Sequence, residues 1–326
     1  MKIAILTDMP RENHFHLEEA HLEDTQKMET VRSIKEILSK KYVCIDLVVD
    51  ENIMNTLKNE KVDLVFNLCN GINGFSKLAQ IPAMLEFANI PYTGSSILGH
   101  ALAINKILSS TVFKSKNIPT PNYISIDSMS DLERTDMEFP ILVKPSDEGS
   151  SRGIHQDSLV YNKEDLTKKV KNIINTYTPP IMLNEYIEGK ELSIGIVGNN
   201  DDITILPIQE IDMSNLPDGL LKFYSFEIKS YYKSHTQYHL PARITHEEKE
   251  KIEKAVLKAY KSLSLKDYAR VDIILKDGIP YILEINSLPG LMKNKSSLYR
   301  MAEASELGYE GLVFKIVDAA LKRYGM

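Results

Sequence analysis

The chain has no tryptophan and only two cysteines, Cys44 and Cys69, among 326 residues. Two thiols cannot build a disulfide framework or a four-ligand zinc site, and both sit in apolar runs where a buried, reduced thiol is expected. No apolar run approaches the roughly 20 residues that a membrane-spanning helix needs. Met1 leads directly into the short apolar run Ile3 to Leu6 with no basic segment before it, so the expectation is a soluble, cytoplasmic protein. An excess of positive charge is missing too. Lys plus Arg number 39 against 45 Asp plus Glu, a net charge of −6, which disfavours a broad grip on nucleic acid or anionic lipid. Any anionic ligand must be held by a local basic site. Hydrophobic residues make up 43% and charged residues 26%, an ordinary globular composition on a length that suits two or three domains.

The first third alternates strand-like runs (2–6, 43–49, 62–68) with helical spacing (25–40, 53–59, 80–88). Met28, Val31, Ile34 and Leu38 mark the buried stripe of the first helix, and Ala79, Ala83 and Phe87 that of the third. Such alternation implies a parallel sheet flanked by helices. The turn-rich segment 90–96 is the first domain boundary. One helix over 98–116 follows, then a strand ending at Lys144, a Gly/Ser loop, a helix over 163–175 and a strand over 181–186. The last third offers strands at 191–197 and 203–208, a Tyr-rich loop over 223–238, and an amphipathic helix with Ile252, Val256, Ala259, Tyr260 and Leu263 on one stripe.

Two segments carry chemistry. Lys144-Pro145-Ser146-Asp147-Glu148-Gly149-Ser150-Ser151-Arg152-Gly153 follows an apolar strand, and its loop can wrap phosphate oxygens with backbone N–H groups while Lys144 supplies charge. It is not a Walker motif, and taken alone it reads as an ordinary turn. The second runs from Tyr268 to Asn286 through Lys276-Asp277-Gly278. A three-residue loop with glycine in the left-handed third position makes Leu275 face Ile279, Asp272 face Ile282 and Arg270 face Glu284. Arg270, Asp272, Glu284 and Asn286 then share a face, with Asp272 and Glu284 diagonal at about 7 to 8 Å, close enough to converge on one hard cation. Ala269, Val271, Ile273, Leu275, Tyr281, Leu283 and Ile285 form the core face. A two-residue loop at Asp277-Gly278 would put Asp272 and Glu284 on opposite faces. The competing reading is a solvated sheet surface with an Arg270 to Glu284 pair. Weaker signals are Lys106 in an apolar helical stretch, an adenine edge and ribose acid within 184–191, and the exposed pair His14 and His16, which lacks a third metal ligand.

Taken in order, Lys106, the 144–153 loop, Glu185 to Glu191, Lys229, Arg270-x-Asp272 and Glu284-x-Asn286-x-x-Pro289-Gly290 resemble the ATP-grasp superfamily, and most closely its D-alanine-D-alanine ligases. The resemblance runs from about Val62 to the C-terminus. It implies a mixed α/β (α+β) ATP-grasp fold of three domains, at 1–96, 97–190 and 191–326, with ATP held between the last two. It implies an ADP-forming ligase that makes an acyl phosphate and passes it to an amine. Lys106 and Lys144 would cradle the phosphates, Lys229 would reach the γ-phosphate, and Ser150 and Ser151 would close over them. Glu185 and Ile187 would meet adenine and Glu191 the ribose. Asp272, Glu284 and Asn286 would hold two Mg²⁺ ions, with Mn²⁺ as a substitute, and Arg270 would stabilise the oxyanion. Gly290, Ser297 and Leu298 would receive the second substrate, and Glu23 would replace the family's N-terminal ammonium anchor. The implied partners are small amino-acid-like substrates and a second copy of the chain, with neither nucleic acid nor membrane.

The substrate half departs from that family. The usual Gly-Gly-x-Ser-x-Glu-Arg-Glu is replaced by an acidic, His-containing loop at 7–19, and His-Gly-x-x-Gly-Glu-Asp-Gly by a segment at 69–79. Ser230 stands where a tyrosine normally follows Lys229, and 293–298 is lengthened. Three readings therefore stand: a diverged carboxylate-amine ligase, an authentic D-alanine-D-alanine ligase of peptidoglycan synthesis, and a non-catalytic ATP-binding regulator. The intact set of lysines, arginine and oxygen ligands favours the first.

Overall fold

The computed structural model describes all residues except 11–17, 72, 73, 75, 134, 150 and 178; the side chains of 18–24 are also outside it. The chain opens with β1 (Lys2–Thr7), α1 (Glu18–Leu38), β2 (Val43–Val48), α2 (Ile53–Asn59), β3 (Leu64–Asn67) and α3 (Gln80–Phe87). The three strands form a parallel sheet in the order β2-β1-β3. Strand β1 is apolar on both faces because both are covered. Ala4 and Leu6 pack with Ile53, Leu57 and Leu85, while Ile3 and Ile5 pack with Ile34 and Leu38 and with residues from the C-terminal end of the chain. The helix stripes differ from expectation at two positions. On α1 Met28 is 61% exposed, and on α3 Phe87 is 95% exposed because that helix turns Ile81 and Leu85 inward instead. Cys69 is buried but Cys44 is only partly so.

Next come α4 (Ile97–Ile104), α5 (Lys106–Ser115), β4 (Tyr123–Ile126), α6 (Met129–Leu132), β5 (Ile141–Pro145), β6 (Leu159–Val160), α7 (Lys163–Thr176) and β7 (Ile181–Glu185). The strands make an antiparallel sheet, β4-β7-β5-β6. The single helix expected over 98–116 is broken at Asn105, whose backbone is extended and whose side-chain Oδ1 caps α5 by accepting the Leu108 N–H. The break places Lys106 at the first position of the new helix, where its N–H donates to Ser146 O at 2.8 Å.

The remainder is β8 (Lys190–Val197), β9 (Thr204–Ile205), β10 (Gln209–Asp212), α8 (Phe226–Ser230), β11 (Gln237–His239), α9 (His246–Ser262), β12 (Tyr268–Lys276), β13 (Ile279–Asn286), α10 (Ser297–Glu303) and α11 (Gly308–Tyr324). Its sheet runs β11-β10-β8-β12-β13, with β9 on β8. The strand expected over 203–208 is only Thr204–Ile205, and β10 begins separately at Gln209. The stretch expected as a loop, 223–238, contains α8, which Ser225 caps by accepting the Ile228 N–H, and then enters β11. Helix α9 buries its expected stripe against β12 and β13. No described helix is long and apolar enough to cross a membrane.

The hairpin of β12 and β13 corrects the expected register. Asp277 and Gly278 both have positive φ, 50° and 72°, and form the two-residue turn that an Asp-Gly pair favours. Lys276 therefore pairs with Ile279, Leu275 with Pro280 and Ile273 with Ile282. Continued regularly, that register would point Glu284 away from Asp272. A bulge intervenes: Leu283 has no partner, Asp272 pairs with Glu284, and Arg270 pairs with Asn286. The two carboxylates are thus directly opposite rather than diagonal, and Arg270 does not face Glu284. The bulge also exchanges one core position: Ile282 is buried where Leu283 was expected, Leu283 lines a cavity, and Ile285 is buried as expected.

Candidate active site

Lys106 from the start of α5, Lys144 from the end of β5 and Glu284 from β13 meet where the second and third sheets approach. Lys106 is 4% exposed, not an ammonium that reaches water along the surface. Its Nζ lies 3.3 Å from Glu284 Oε2 and also donates to the carbonyl of Glu148. Burial, and then Lys106, push the Lys144 ammonium down to about 8, against the pull of Glu284. Glu284 shows the reverse balance: despite the cost of burial, Lys106, Lys144 and Arg270 hold its carboxyl down at about 2. Beside it, Arg270 grips Asp272 with two hydrogen bonds, Nε to Oδ1 at 2.8 Å and a terminal nitrogen to Oδ2 at 2.6 Å. Ser193 donates to Asp272 Oδ1 at 2.7 Å. Asn286 Nδ2 spans the two acids, 2.9 Å from Asp272 and 3.4 Å from Glu284. Two carboxylates and an amide on adjacent strands form a compact set of hard oxygen donors, the chemistry that magnesium requires.

Lys106, Lys144, Ser193, Arg270, Asp272 and Glu284 line a cavity of about 360 Å³. At its far end are Glu185, Tyr186, Ile187 and Glu191. The Glu185 carboxylate accepts through Oε2 from the Asn122 N–H and Nδ2 at 3.0 and 2.9 Å, and its own N–H donates to Asn122 O at 2.8 Å. Ile187 is 6% exposed, and its peptide groups have no hydrogen-bond partner among the described residues. Burial, then Asp272, push the Glu191 carboxyl from 4.5 up to about 8, against an N–H donated by Tyr224. Between those two values the folded chain holds a proton that the unfolded chain has released, so stability falls as pH rises from about 4.5 to 8. Replacing Glu191 with glutamine removes that part of the slope. Thermal melts of both proteins in EDTA from pH 5 to 9 should show the variant gaining on the wild type as pH rises, and parallel curves would refute the buried, protonated Glu191.

A second cavity, about 260 Å³, adjoins the first and shares Lys106, Lys229, Arg270, Glu284 and Gly290 with it. Sequence reasoning missed much of its wall. Glu148 is clasped by Lys77 at 2.7 Å and by Arg152 at 2.7 Å, and Lys27 pairs with Asp8 at 2.9 Å. Lys77 was legible only as a lone charge ahead of an apolar helix. Ser151 takes a left-handed conformation, φ 62°, with its hydroxyl 3.5 Å from Tyr224 O. Ser297 accepts from Arg300 at 3.2 Å, and Leu298 is buried in the core, so only its backbone can meet a ligand. Arg300 and Gln209 were also missed, since nothing local joins them. Ser150, His14, His16 and the Glu23 side chain lie outside the described residues.

Residues 112–318 match the family described as D-ala D-ala ligase C-terminus. The uncharacterized protein y4sG of Sinorhizobium fredii is 34% identical over 262 residues, covering 80% of this chain and 75% of that protein. The D-alanine–D-alanine ligase of Carboxydothermus hydrogenoformans is 33% identical over 297 residues, covering 88% and 90%. In three dimensions the crystal structure of the Bacillus anthracis D-alanine–D-alanine ligase complexed with ATP superposes with a TM-score of 0.76 at 24% identity, over 100% of this chain and 99% of that one, a likeness of fold. Matched along most of its length in both sequence and architecture, the chain belongs to the D-alanine–D-alanine ligase family of ATP-dependent, ADP-forming carboxylate-amine ligases.

Proposed function

We propose that the chain joins two amino-acid-like substrates, with ATP lying between residues 97–190 and 191–326. The observation that carries this is the direct opposition of Asp272 and Glu284, bridged by Asn286 and faced by Lys106 and Arg270. A nucleotide would exchange partners with this set: phosphates take the lysines, and the released carboxylates, with Asn286, hold magnesium. Bound magnesium supplies charge neutralisation at the transferring phosphoryl group.

Adenine would enter at the unpaired peptide edge of Ile187, with Glu191 accepting ribose hydroxyls, and Lys106, Lys144 and Lys229 would hold the phosphates. An oxygen of the donor carboxylate attacks the γ-phosphorus, the bond to ADP breaks, and an acyl phosphate forms. The neutral amine of the acceptor then attacks the acyl carbon, phosphate leaves, and the nitrogen gives up a proton. Arg270 would stabilise the developing oxyanion, and the 149–153 loop, with Ser150 and Ser151, would exclude water from the acyl phosphate. The donor would occupy the smaller cavity and the acceptor the end near Gly290, Ser297 and the Leu298 backbone. Glu23 would receive the donor's ammonium. The exposed apolar pair Met84 and Phe87 on α3 supports a homodimer through the N-terminal unit, which sedimentation tests, and the reaction belongs in the cytoplasm.

The test is ADP release with ATP and Mg²⁺ against D- and L-amino acids, singly and in pairs, beside an Asp272→Ala/Glu284→Ala control. We expect turnover with at least one pair and none in the control. Turnover with D-alanine alone would identify the dipeptide made by the C. hydrogenoformans relative's namesake activity, while measurable ATP binding with silence across the panel would count against a ligase of amino acids.

A further inference from the structure

The acceptor end of the larger cavity holds more positive charge than one amino-acid carboxylate can use. Arg300 lies at its wall with its guanidinium 4.1 Å from the Tyr238 ring centre. Its Nε donates to Gln209 Oε1 at 2.8 Å, one terminal nitrogen to Lys295 O at 2.6 Å and the other to Ser297 Oγ at 3.2 Å. All three acceptors are neutral. Each terminal nitrogen keeps a second N–H.

Lys233 and Lys295 line the same cavity. Neither Arg300 nor Lys233 has an ion pair among the described residues, and Lys295 reaches only Glu29, at 3.7 Å between two half-exposed side chains. Burial, then Arg300 and Lys295, lower the Lys233 ammonium, so Lys233 stands within the field of the other two cations. The acids that line the cavity are committed elsewhere: Glu148 to Lys77 and Arg152, Glu185 to Asn122, Asp272 to Arg270, Glu284 to Lys106, and Glu191 to the Tyr224 N–H. Two of the cations come from segments where the chain departs from its family, Lys233 after Ser230 and Lys295 within the lengthened 293–298 loop.

We infer that the acceptor amine carries a second acidic group besides its α-carboxylate, received by Arg300, Lys233 and Lys295. This deepens the ligase reading and rests on it. The α-carboxylate would meet Ser297, whose oxygen already accepts from Arg300 and faces Gln209 Nε2 at 3.4 Å, leaving its own O–H to donate. The second acid then neutralises charge that a neutral side chain would leave uncompensated.

The experiment compares glutamate with glutamine, and aspartate with asparagine, in both hands, as acceptors for whichever donor supports ADP release. In parallel, glutamate and glutamine are titrated calorimetrically into the full chain saturated with a non-hydrolysable ATP analogue and Mg²⁺. The acid should exceed its amide at least about tenfold in kcat/KM and in affinity. In Lys233→Gln/Lys295→Gln that ratio should fall toward one. Amides equal to or better than acids would overturn the inference and leave the ligase reading standing. A variant that raises KM for ATP while keeping the acid-to-amide ratio would overturn it too, assigning the lysines to the nucleotide. Absence of ADP release with every pair would overturn the ligase reading, and with it the inference about an acceptor.

Discussion

Replacing Glu284 with alanine is expected to lower the unfolding free energy by about 3 kcal/mol, because one partner of a buried charge cluster is removed and the others remain. Its carboxyl is held at about 2, well below the ordinary 4.5, by Lys106, Lys144 and Arg270 in spite of burial. A depressed carboxyl contributes stability that is present above pH 4.5 and is lost as pH falls toward 2. Without it, Lys106 and Lys144 face each other, and Lys144 is already pushed down to about 8 by burial and by Lys106. ADP release should fall about a thousandfold, the scale of losing a group that organises charge at the transferring phosphoryl. Misfolding would produce the same loss of turnover, so a second measurement separates the two causes. In EDTA the variant should bind ATP more tightly than the wild type, since phosphates then meet lysines that no carboxylate occupies. Equal or weaker binding in EDTA, with a cooperative urea transition retained, would contradict the proposed exchange of partners.

The cluster of lysines and acids in this site was legible because its residues lie in short, ordered segments whose strand or loop character shows locally: Lys144 at the end of an apolar strand, and the acids of β12 and β13 on a recognisable hairpin. The register of that hairpin was not legible. Asp277-Gly278 is a two-residue turn, which alone would have separated Asp272 from Glu284, and the bulge that reunites them leaves Leu283 looking like any other strand residue. Expecting one three-residue loop reached the shared face through an incorrect pairing. The break at Asn105 did have a signal, an asparagine that can cap a helix inside an apolar stretch, but apolar periodicity on both sides hid it. Arg300, Gln209 and Tyr238 come from α10, β10 and β11, and only the sheet order brings them together, so no spacing rule could have assembled them.

The second large effect is expected far from the chemistry. Asp267 is fully buried and accepts hydrogen bonds from Gly94 N at 2.8 Å, Asn199 Nδ2 at 2.7 Å and Arg323 at 2.8 Å. Arg323 also donates to the carbonyls of Tyr92 and Gly94 at 2.7 and 3.1 Å. One ion pair therefore ties the turn that follows the first sheet, the loop after β8, the entry to β12 and the end of α11. Arg323→Met would leave a buried carboxylate without its cation and should cost about 3 to 5 kcal/mol in urea or thermal denaturation. Asp267→Asn keeps a residue suited to φ 66° and strands the arginine instead, with a cost of similar size. Because each single change leaves the other partner unpaired, the double variant should be more stable than the sum of the two costs by at least about 1 kcal/mol. Additive costs would mean that the pair is incidental and that the backbone bonds do the tying. Neither residue lines the two cavities, so ADP release measured at a temperature where each variant is folded should change far less than in Glu284→Ala. Loss of stability without loss of turnover would place this pair among the contacts that hold the site's sheets together rather than among those that act on the substrates.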